Sequence, residues 1–418
     1  MDLWQIRGGR RLDGSCTVQG SKNASLPILA ATLLAPGRVE LYNVPRLRDV
    51  DAALRILRAL GAETRQEGHF VSVDSCGVSA CSVPRTLMEQ MRSSVIFMGA
   101  LIARCGEAKL SLPGGCQLGR RPIDLHLDAL RQMGVEIEQD GDDIACRSRG
   151  LHGAQIRLPF PSVGATENVL LAACGAKGRT CLTGAAREPE IVALQGFLRA
   201  LGAEISGAGT DCIVVEGFHP RRSAAALIPP DRIAAATLCC ACASAGGEIE
   251  LNSADPEQIS TVLYFLKQAG CDIIHAKRSL RVSRMGRLCA PESVTTAPYP
   301  GFPTDAQPVL MAALLRAEGT STLRDSIFEN RFRQIPELRR LGADIRLEGQ
   351  TALIRGVERL HGDLLRATDL RGGAAMVLAG LAAEGDTLVL DEGHITRGYD
   401  DLDGCLRALG ADVWAERI

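Results

Sequence analysis

Arg58-Ala-Leu-Gly-Ala-Glu63 ends one periodic stretch and begins another, and the chain repeats the phrase five more times. The other copies are Arg131-Gln-Met-Gly-Val-Glu136, Arg199-Ala-Leu-Gly-Ala-Glu204, Lys267-Gln-Ala-Gly-Cys-Asp272, Arg339-Arg-Leu-Gly-Ala-Asp344 and Arg407-Ala-Leu-Gly-Ala-Asp412. Their glycines, Gly61, Gly134, Gly202, Gly270, Gly342 and Gly410, stand 73, 68, 68, 72 and 68 residues apart, an evenness that chance does not produce. Upstream of each lies an amphipathic run such as Val50 to Leu60, with a basic residue in its last turn and Gly just past the end, which are helix stop signals. Downstream, alternation such as Phe70-Val-Ser-Val-Asp74 and Cys212-Ile-Val-Val-Glu216 predicts hairpin strands.

A second repeat falls half a unit away: an Ala/Leu-rich run, a glycine, then a short strand. Examples are Pro27 to Leu41 around Gly37, Val95 to Leu112 around Gly106 and Val169 to Leu182 around Gly178, and the later three centre on Gly247, Gly319 and Gly385. Each unit therefore reads as helix, strand, helix and strand hairpin. The first helices are apolar nearly all round, which places them inside a domain with sheets outside. The sixth copy reaches Ile418 with its hairpin incomplete, whereas Met1 to Gly20 is a surplus that reads as strand, turn, strand. The N-terminus is thus expected to complete the last unit. Three units per domain give a first domain over residues 22–229 and a second over 1–21 plus 230–418, joined by two crossings that would let them close on each other.

With 418 residues, 46% of them apolar, the chain can bury a large core and favours two or more domains. Its 47 Lys and Arg against 49 Asp and Glu leave a net charge of −2 spread along the sequence, which argues against a nucleic-acid surface or a polybasic membrane anchor. No apolar run approaches the roughly 18 residues needed to span a bilayer, and Met1 to Gly20 does not resemble a signal peptide. The expected location is the cytoplasm, where 15 cysteines are most simply free thiols. No Cys or His spacing suits zinc, so neither a metal nor a cofactor is expected. Cys174, Cys181, Cys239, Cys240 and Cys242 lie in apolar runs and read as core.

Cys116 differs from these. It sits in Gly114-Gly-Cys-Gln-Leu-Gly-Arg-Arg121, on glycine-rich backbone beside two guanidinium groups that lower a thiol's pKa and make the sulfur useful as acid or nucleophile. Polar signatures also mark the start of every first helix: Lys22-Asn23, Arg92, Ser162-Val163-Gly164, Asp231-Arg232, Thr304-Asp305 and Asp369-Leu370-Arg371. Helix N-termini carry unpaired N–H groups and partial positive charge, so several of them sharing a cleft make an anion site. Lys22, Arg92, Arg121, Arg331, Arg371 and Arg397 would render it strongly cationic. Ser, Thr and Asp at such starts are also ordinary caps, but Lys and Arg there oppose the dipole and point to a ligand. For Asp305, capping and service as a general base are both open on local sequence.

Taken in order, Ser21-Lys22-Asn23, the Gly114 to His126 loop, Ser162-Val-Gly-Ala-Thr166, Ala186-Arg-Glu-Pro-Glu190, Phe302-Pro-Thr-Asp305, Phe328-Glu-Asn-Arg331, Asp369-Leu-Arg371 and Arg397-Gly-Tyr399 resemble the UDP-N-acetylglucosamine 1-carboxyvinyltransferases, enolpyruvyl transferases that open peptidoglycan synthesis. The resemblance covers the whole chain. It implies two inside-out α/β domains, each of three βαβαββ repeats with helices inside and sheets outside, closing over phosphoenolpyruvate and UDP-N-acetylglucosamine. It further implies that Cys116 protonates the methylene carbon of phosphoenolpyruvate and is the residue alkylated by the epoxide fosfomycin. Lys22, Arg121 and Arg397 would grip the phosphate and carboxylate, with Arg331 and Arg371 close by. Asn23, Asp305 and Ile327 would contact the amino sugar, with Asp305 the base for its 3'-hydroxyl, and Asp369 would stand beside Arg371 at the substrate. Arg92, Arg121, Pro122, Ile123, Asp124, Leu125, Ser162, Val163 and Gly164 would hold the uridine and diphosphate.

Elementary electrostatics gives the same logic. Both substrates are anionic, and at an effective dielectric of about 20 each cation about 4 Å from an anion contributes roughly 4 kcal/mol, so several fixed cations outweigh the repulsion. Among departures from the common pattern, Arg120 adds a cation, Ala234 replaces an acid, Phe160 stands where some relatives have a lysine, and Gly372-Gly373 is expected to loosen the helix start after Arg371. Rival readings are a transferase acting on shikimate 3-phosphate, whose signatures the chain lacks, and a non-catalytic UDP-sugar binder.

Overall fold

The computed structural model describes residues 1–112 and 123–418. All six repeat glycines adopt a left-handed backbone, with φ of 102°, 86°, 107°, 99°, 91° and 87° in chain order, a region closed to most side chains. Each ends a helix: Arg48–Ala59, Asp124–Gln132, Pro189–Leu201, Ser260–Gln268, Ile335–Arg340 and Leu402–Ala408. The following residue folds back on the helix, as in Ala62 N–H to the Leu57 carbonyl at 3.0 Å and Ala411 N–H to the Leu406 carbonyl at 2.9 Å. The basic residue of the phrase has a second task besides the helix dipole. Arg199, Arg339 and Arg407 each donate to a backbone carbonyl in the next strand, those of Ile205, Ile345 and Val413, and so lock the helix end to the hairpin.

The described residues form two compact units, one of Met1–Gln19 with Pro230–Ile418 and one of residues 20–112 with 123–229. In the first, three helices, Arg232–Ala245, Gln307–Leu314 and Leu370–Ala382, pack on one another. Ile233 through Ser244 and Arg371 through Ala382 are buried on every face, so these helices lie inside and the sheets outside. Alanine and cysteine at the contacts let the backbones approach; Cys239, Cys240 and Cys242 are core residues there, as is Cys174 in the other unit. Burial pushes the Cys174 and Cys242 thiols up to about 12, which removes them as nucleophiles. Cys181 departs from the core expectation: it is half-buried on a strand, with Sγ 3.7 Å from that of Cys212.

Six sheets surround the helices among the described residues, five of four strands and one of three. Each four-stranded sheet pairs a repeat's hairpin with the strand before it and a parallel edge strand, as in the order 293–295, 320–324, 351–355 and 344–348, whereas the three-stranded one is antiparallel throughout. Asp2–Arg7 completes the sixth sheet, as the N-terminal surplus leads one to expect, lying antiparallel between Asp386–Asp391 and Asp412–Arg417 with Gln5 opposite Leu388 and Trp414. Leu12–Thr17 goes instead to the fourth sheet, parallel to Gly247–Asn252, because that unit needs an edge strand that its own segment does not supply. Ser223–Leu227 does the same for the first sheet, parallel to Arg38–Tyr42. The fold is thus α/β, with repeated four-stranded sheets wrapped on buried helices.

Candidate active site

Every polar signature picked out in the sequence stands where a central helix begins. Lys22 opens Lys22–Ala31, Arg92 opens a 3-10 turn that leads into Phe97–Cys105, and Ser162 caps Val163–Ala173. Asp231 caps Arg232–Ala245, Thr304–Ala306 is the 3-10 turn before Gln307–Leu314, and Asp369 caps Leu370–Ala382. Capping accounts for Ser162, Asp231 and Asp369: one Asp369 oxygen accepts the N–H groups of Arg371 and Gly372, both at 3.0 Å. Gly372 and Gly373 do not loosen this start. A Cβ on Gly372 would come within 2.9 Å of the Asp369 carboxylate and one on Gly373 within 2.7 Å of Ile395, so both glycines permit close packing.

Asp305 is the N-cap of neither the 3-10 turn nor the helix that follows, those positions being Pro303 and Ala306. Its two oxygens are divided between two guanidinium groups, Arg331 Nη2 at 2.6 Å and Arg371 Nη2 at 3.2 Å. Both arginines are 2% exposed and Asp305 is 30% exposed, so the carboxylate is the part of the cluster that reaches outward. Arg331 also donates twice to the Thr304 carbonyl, at 3.0 and 2.9 Å, fixing the turn that carries Asp305. The Arg371 guanidinium sits 5.2 Å from the ring centre of Tyr399, while among the described residues its buried Nε and Nη1 make no hydrogen bond of good geometry. Burial opposes the Arg371 charge, but Tyr399, Asp305 and Asp231 outweigh it and hold the group above its ordinary range.

Fully buried Asp325, absent from the sequence expectations, organises the neighbouring backbone. It accepts the Thr304 hydroxyl at 2.7 Å and the N–H groups of Ile327 and Phe328 at 3.0 and 2.8 Å, so Ile327 is tied to the Asp305 turn. Arg397 ends the 3-10 turn Ile395–Arg397 and is half-buried, two residues before Tyr399. Asp305, Arg331, Arg371, Asp369, Ile327 and Arg397 therefore belong to one connected set.

In the other unit, Lys22 Nζ meets Asp49 Oδ2 at 2.7 Å, with both side chains nearly inaccessible. The buried cations Lys22, Arg331 and Arg371 all contact carboxylates, because a lone buried charge would be too costly to desolvate, and the two arginines that share Asp305 keep a net positive charge there. Asn23 is half-buried in the first turn of its helix. Ile123, Asp124 and Leu125 start Asp124–Gln132, with Asp124 exposed, and Val163 and Gly164 form a helical first turn. What joins the last two groups is His126, which the sequence did not single out. A Cβ on Gly164 would touch its ring at 2.9 Å.

Asn168 fixes the state of that ring. Its oxygen accepts Gly99 N–H at 2.7 Å, so its amide nitrogen donates to the Val95 carbonyl at 3.1 Å and to His126 Nδ1 at 2.8 Å. His126 is therefore neutral with its proton on Nε2, and burial lowers its pKa to about 4. Nearby in sequence, Glu167 is buried; desolvation, with Glu190 and Glu188, holds its carboxyl well above the usual carboxylate range. Cys116, Arg121 and Pro122 lie outside the described residues, as does the Arg120 departure.

A family model described as EPSP synthase (3-phosphoshikimate 1-carboxyvinyltransferase) matches residues 6–406. The chain belongs to this enolpyruvyl transferase family. Among named relatives, UDP-N-acetylglucosamine 1-carboxyvinyltransferase 2 of Caldanaerobacter subterraneus subsp. tengcongensis is 46% identical over 99% of both chains. The UDP-N-acetylglucosamine 1-carboxyvinyltransferase of Rhodospirillum centenum is 45% identical over all of this chain and 99% of its own. Of solved structures, the enolpyruvyl transferase NikO from Streptomyces tendae superposes with a TM-score of 0.89 at 27% identity, covering 99% of this chain and 98% of that one. EPSP synthase from Acinetobacter baumannii shares the fold, with a TM-score of 0.75 at 20% identity over the full length of both. No helix among the described residues is long and apolar enough to cross a membrane.

Proposed function

We propose that this enolpyruvyl transferase moves the enolpyruvyl group of phosphoenolpyruvate to the 3'-hydroxyl of UDP-N-acetylglucosamine and releases phosphate, the first committed step of peptidoglycan synthesis, in the cytoplasm. The observation that carries the reading is Asp305, an outward-reaching carboxylate shared by two buried arginines at the start of a central helix. The names of relatives that match nearly the whole chain support the choice of substrates.

The reaction needs one proton delivered to the methylene carbon and one removed from the attacking hydroxyl. Cys116 is the acid and Asp305 the base in this reading. Attack of the hydroxyl oxygen on the central carbon, its proton passing to Asp305 while Cys116 protonates the methylene carbon, forms a tetrahedral adduct that carries a methyl group; return of a methyl proton to the Cys116 thiolate, with cleavage of the bond to the phosphate oxygen and transfer of the Asp305 proton to the departing phosphate, restores the double bond and frees phosphate. Arg331 and Arg371 keep Asp305 ionised before the hydroxyl arrives. Arg371 Nε and Nη1, which make no hydrogen bond of good geometry among the described residues, are suited to a substrate anion, and an arginine drawn toward that anion loosens its hold on Asp305 and raises the carboxylate's basicity. Lys22, Arg121 and Arg397 serve as ligands for the anionic groups of phosphoenolpyruvate. Asn23 and Ile327 contact the amino sugar, and Asp369 holds the turn that presents Arg371. Arg92, Ile123 to Leu125 and Ser162 to Gly164 take the nucleotide, with helix N–H groups facing the diphosphate.

The test is phosphate release from phosphoenolpyruvate by the purified protein. Turnover that depends on UDP-N-acetylglucosamine is expected. Turnover with shikimate 3-phosphate instead, or binding of the nucleotide sugar without turnover, would overturn the reading. Fosfomycin is expected to add its mass at Cys116 and stop the reaction.

A further inference from the structure

The loop that carries Arg397 is fastened at both ends by side chains. At the near end, buried Asp391 accepts the N–H groups of His394 and Ile395 at 2.7 and 3.0 Å through its two oxygens. At the far end the partner comes from the opposite end of the sequence. Gln19 donates its amide N–H to the Gly398 carbonyl at 3.1 Å and accepts the Asp400 N–H with its amide oxygen at 2.8 Å. A primary amide offers a donor and an acceptor side by side, so one glutamine pairs with this backbone as a neighbouring strand would. Gln19 is itself held, because its backbone carbonyl accepts the Asp231 N–H at 2.8 Å where Arg232–Ala245 begins.

Between the two gripped residues lies Tyr399. Its ring backs Arg371 and its hydroxyl lies 2.8 Å from the Thr237 hydroxyl. Gly398 lies close against the head of Leu370–Ala382, where an added Cβ would come within 2.3 Å of Leu370 Cδ1 and push that side chain aside. The segment is thus seated against the helix start that presents Arg371, and Gln19 sets how it sits.

We propose that Gln19 is a positioning residue for Arg397, aiming that guanidinium at the anionic groups of phosphoenolpyruvate; the proposal rests on the ligand role given to Arg397 above. Gln19→Leu keeps the bulk and removes both hydrogen bonds. It is expected to raise the KM for phosphoenolpyruvate about tenfold, the effect of losing roughly one net hydrogen bond's worth of alignment, with the KM for UDP-N-acetylglucosamine and the melting temperature nearly unchanged.

Gln19→Glu supplies a readout that a purely structural role would not move. Its carboxylate can accept from Asp400 but repels the Gly398 carbonyl, and protonation restores the donor. The KM defect of Gln19→Glu should therefore shrink as pH falls from about 8 to about 5.5, while that of Gln19→Leu does not. Should Gln19→Leu fold poorly, this pH profile still decides. An unchanged KM for phosphoenolpyruvate in Gln19→Leu beside a large defect in Arg397→Ala would overturn the proposal alone, as would a pH-independent defect in Gln19→Glu. An unchanged KM in Arg397→Ala would overturn the ligand reading and the proposal with it.

Discussion

The two units build their helix starts from the same repeat yet solve the problem of a buried cation differently. In one, a single carboxylate, Asp305, serves two arginines and still reaches solvent. In the other, Lys22 contacts Asp49 at 2.7 Å with both side chains nearly inaccessible, and the adjoining helix starts are organised by a neutral imidazole and an amide. A shared carboxylate keeps hydrogen-bonding capacity in reserve on its partners, as Arg371 Nε and Nη1 illustrate among the described residues, and suits chemistry. A closed pair holds a charge in place and suits positioning.

The sharpest way to break this contrast is to remove Asp305. Asp305→Ala is expected to lower kcat by about 10² to 10⁴, the range for loss of a general base, measured by phosphate release. A loss below tenfold would strip the shared carboxylate of its chemical role. Next in size, Asp49→Asn removes the carboxylate that buried Lys22 contacts at 2.7 Å and should cost about 3–5 kcal/mol in urea unfolding, whereas replacing both residues by apolar ones of similar volume should recover most of it.

The imidazole side of the comparison is tested by pH. His126 has a folded pKa lowered from 6.5 to about 4, so its contribution is fully present above 6.5 and is lost as pH falls through about 4; it amounts to at most about 3 kcal/mol. Unfolding free energies measured across that window should fall with pH, and His126→Gln should flatten the fall. Glu167 works in the other direction. Its raised folded pKa makes its contribution largest at low pH and erodes it as pH rises above the usual carboxylate range, so Glu167→Gln should gain stability relative to the parent on going from acid to neutral pH. Smallest of all, Asp231→Ala removes a cap that accepts two N–H groups and should cost about 1 kcal/mol, read as a shift in the urea midpoint.

Much of this architecture is legible in the sequence because it is local and repeated. A left-handed glycine after a helix, a basic residue in its last turn and a capping residue at the next start each leave a mark within a few positions, and six copies average out the exceptions. Lys22, Ser162, Asp305 and Asp369 could be placed at helix starts for that reason. Their partners could not. Asp49, Asp325, Asn168 and Gln19 act across 20 to 380 residues, and nothing in the residues around Gln19 announces that its amide will meet Gly398. Arg331 and Arg371 were legible as cations but not as two hands on one carboxylate, since charge pairing in a folded core depends on packing that periodicity does not encode. Nor could the sequence show that each of the buried cations Lys22, Arg331 and Arg371 would contact a carboxylate, because such contacts are set by burial and not by composition.

The placement of Asp2–Arg7 between Asp386–Asp391 and Asp412–Arg417 has a consequence for how the molecule is made. The unit over residues 20–229 contains all the strands of its own sheets and can finish while the ribosome is still working. Its companion must carry its earliest strand, backbone groups unpaired, until the final residues emerge, an interval of roughly 20 to 80 s at usual elongation rates. During that wait the nascent chain exposes the edges of Asp2–Arg7, a strand whose two neighbours lie more than 370 residues downstream.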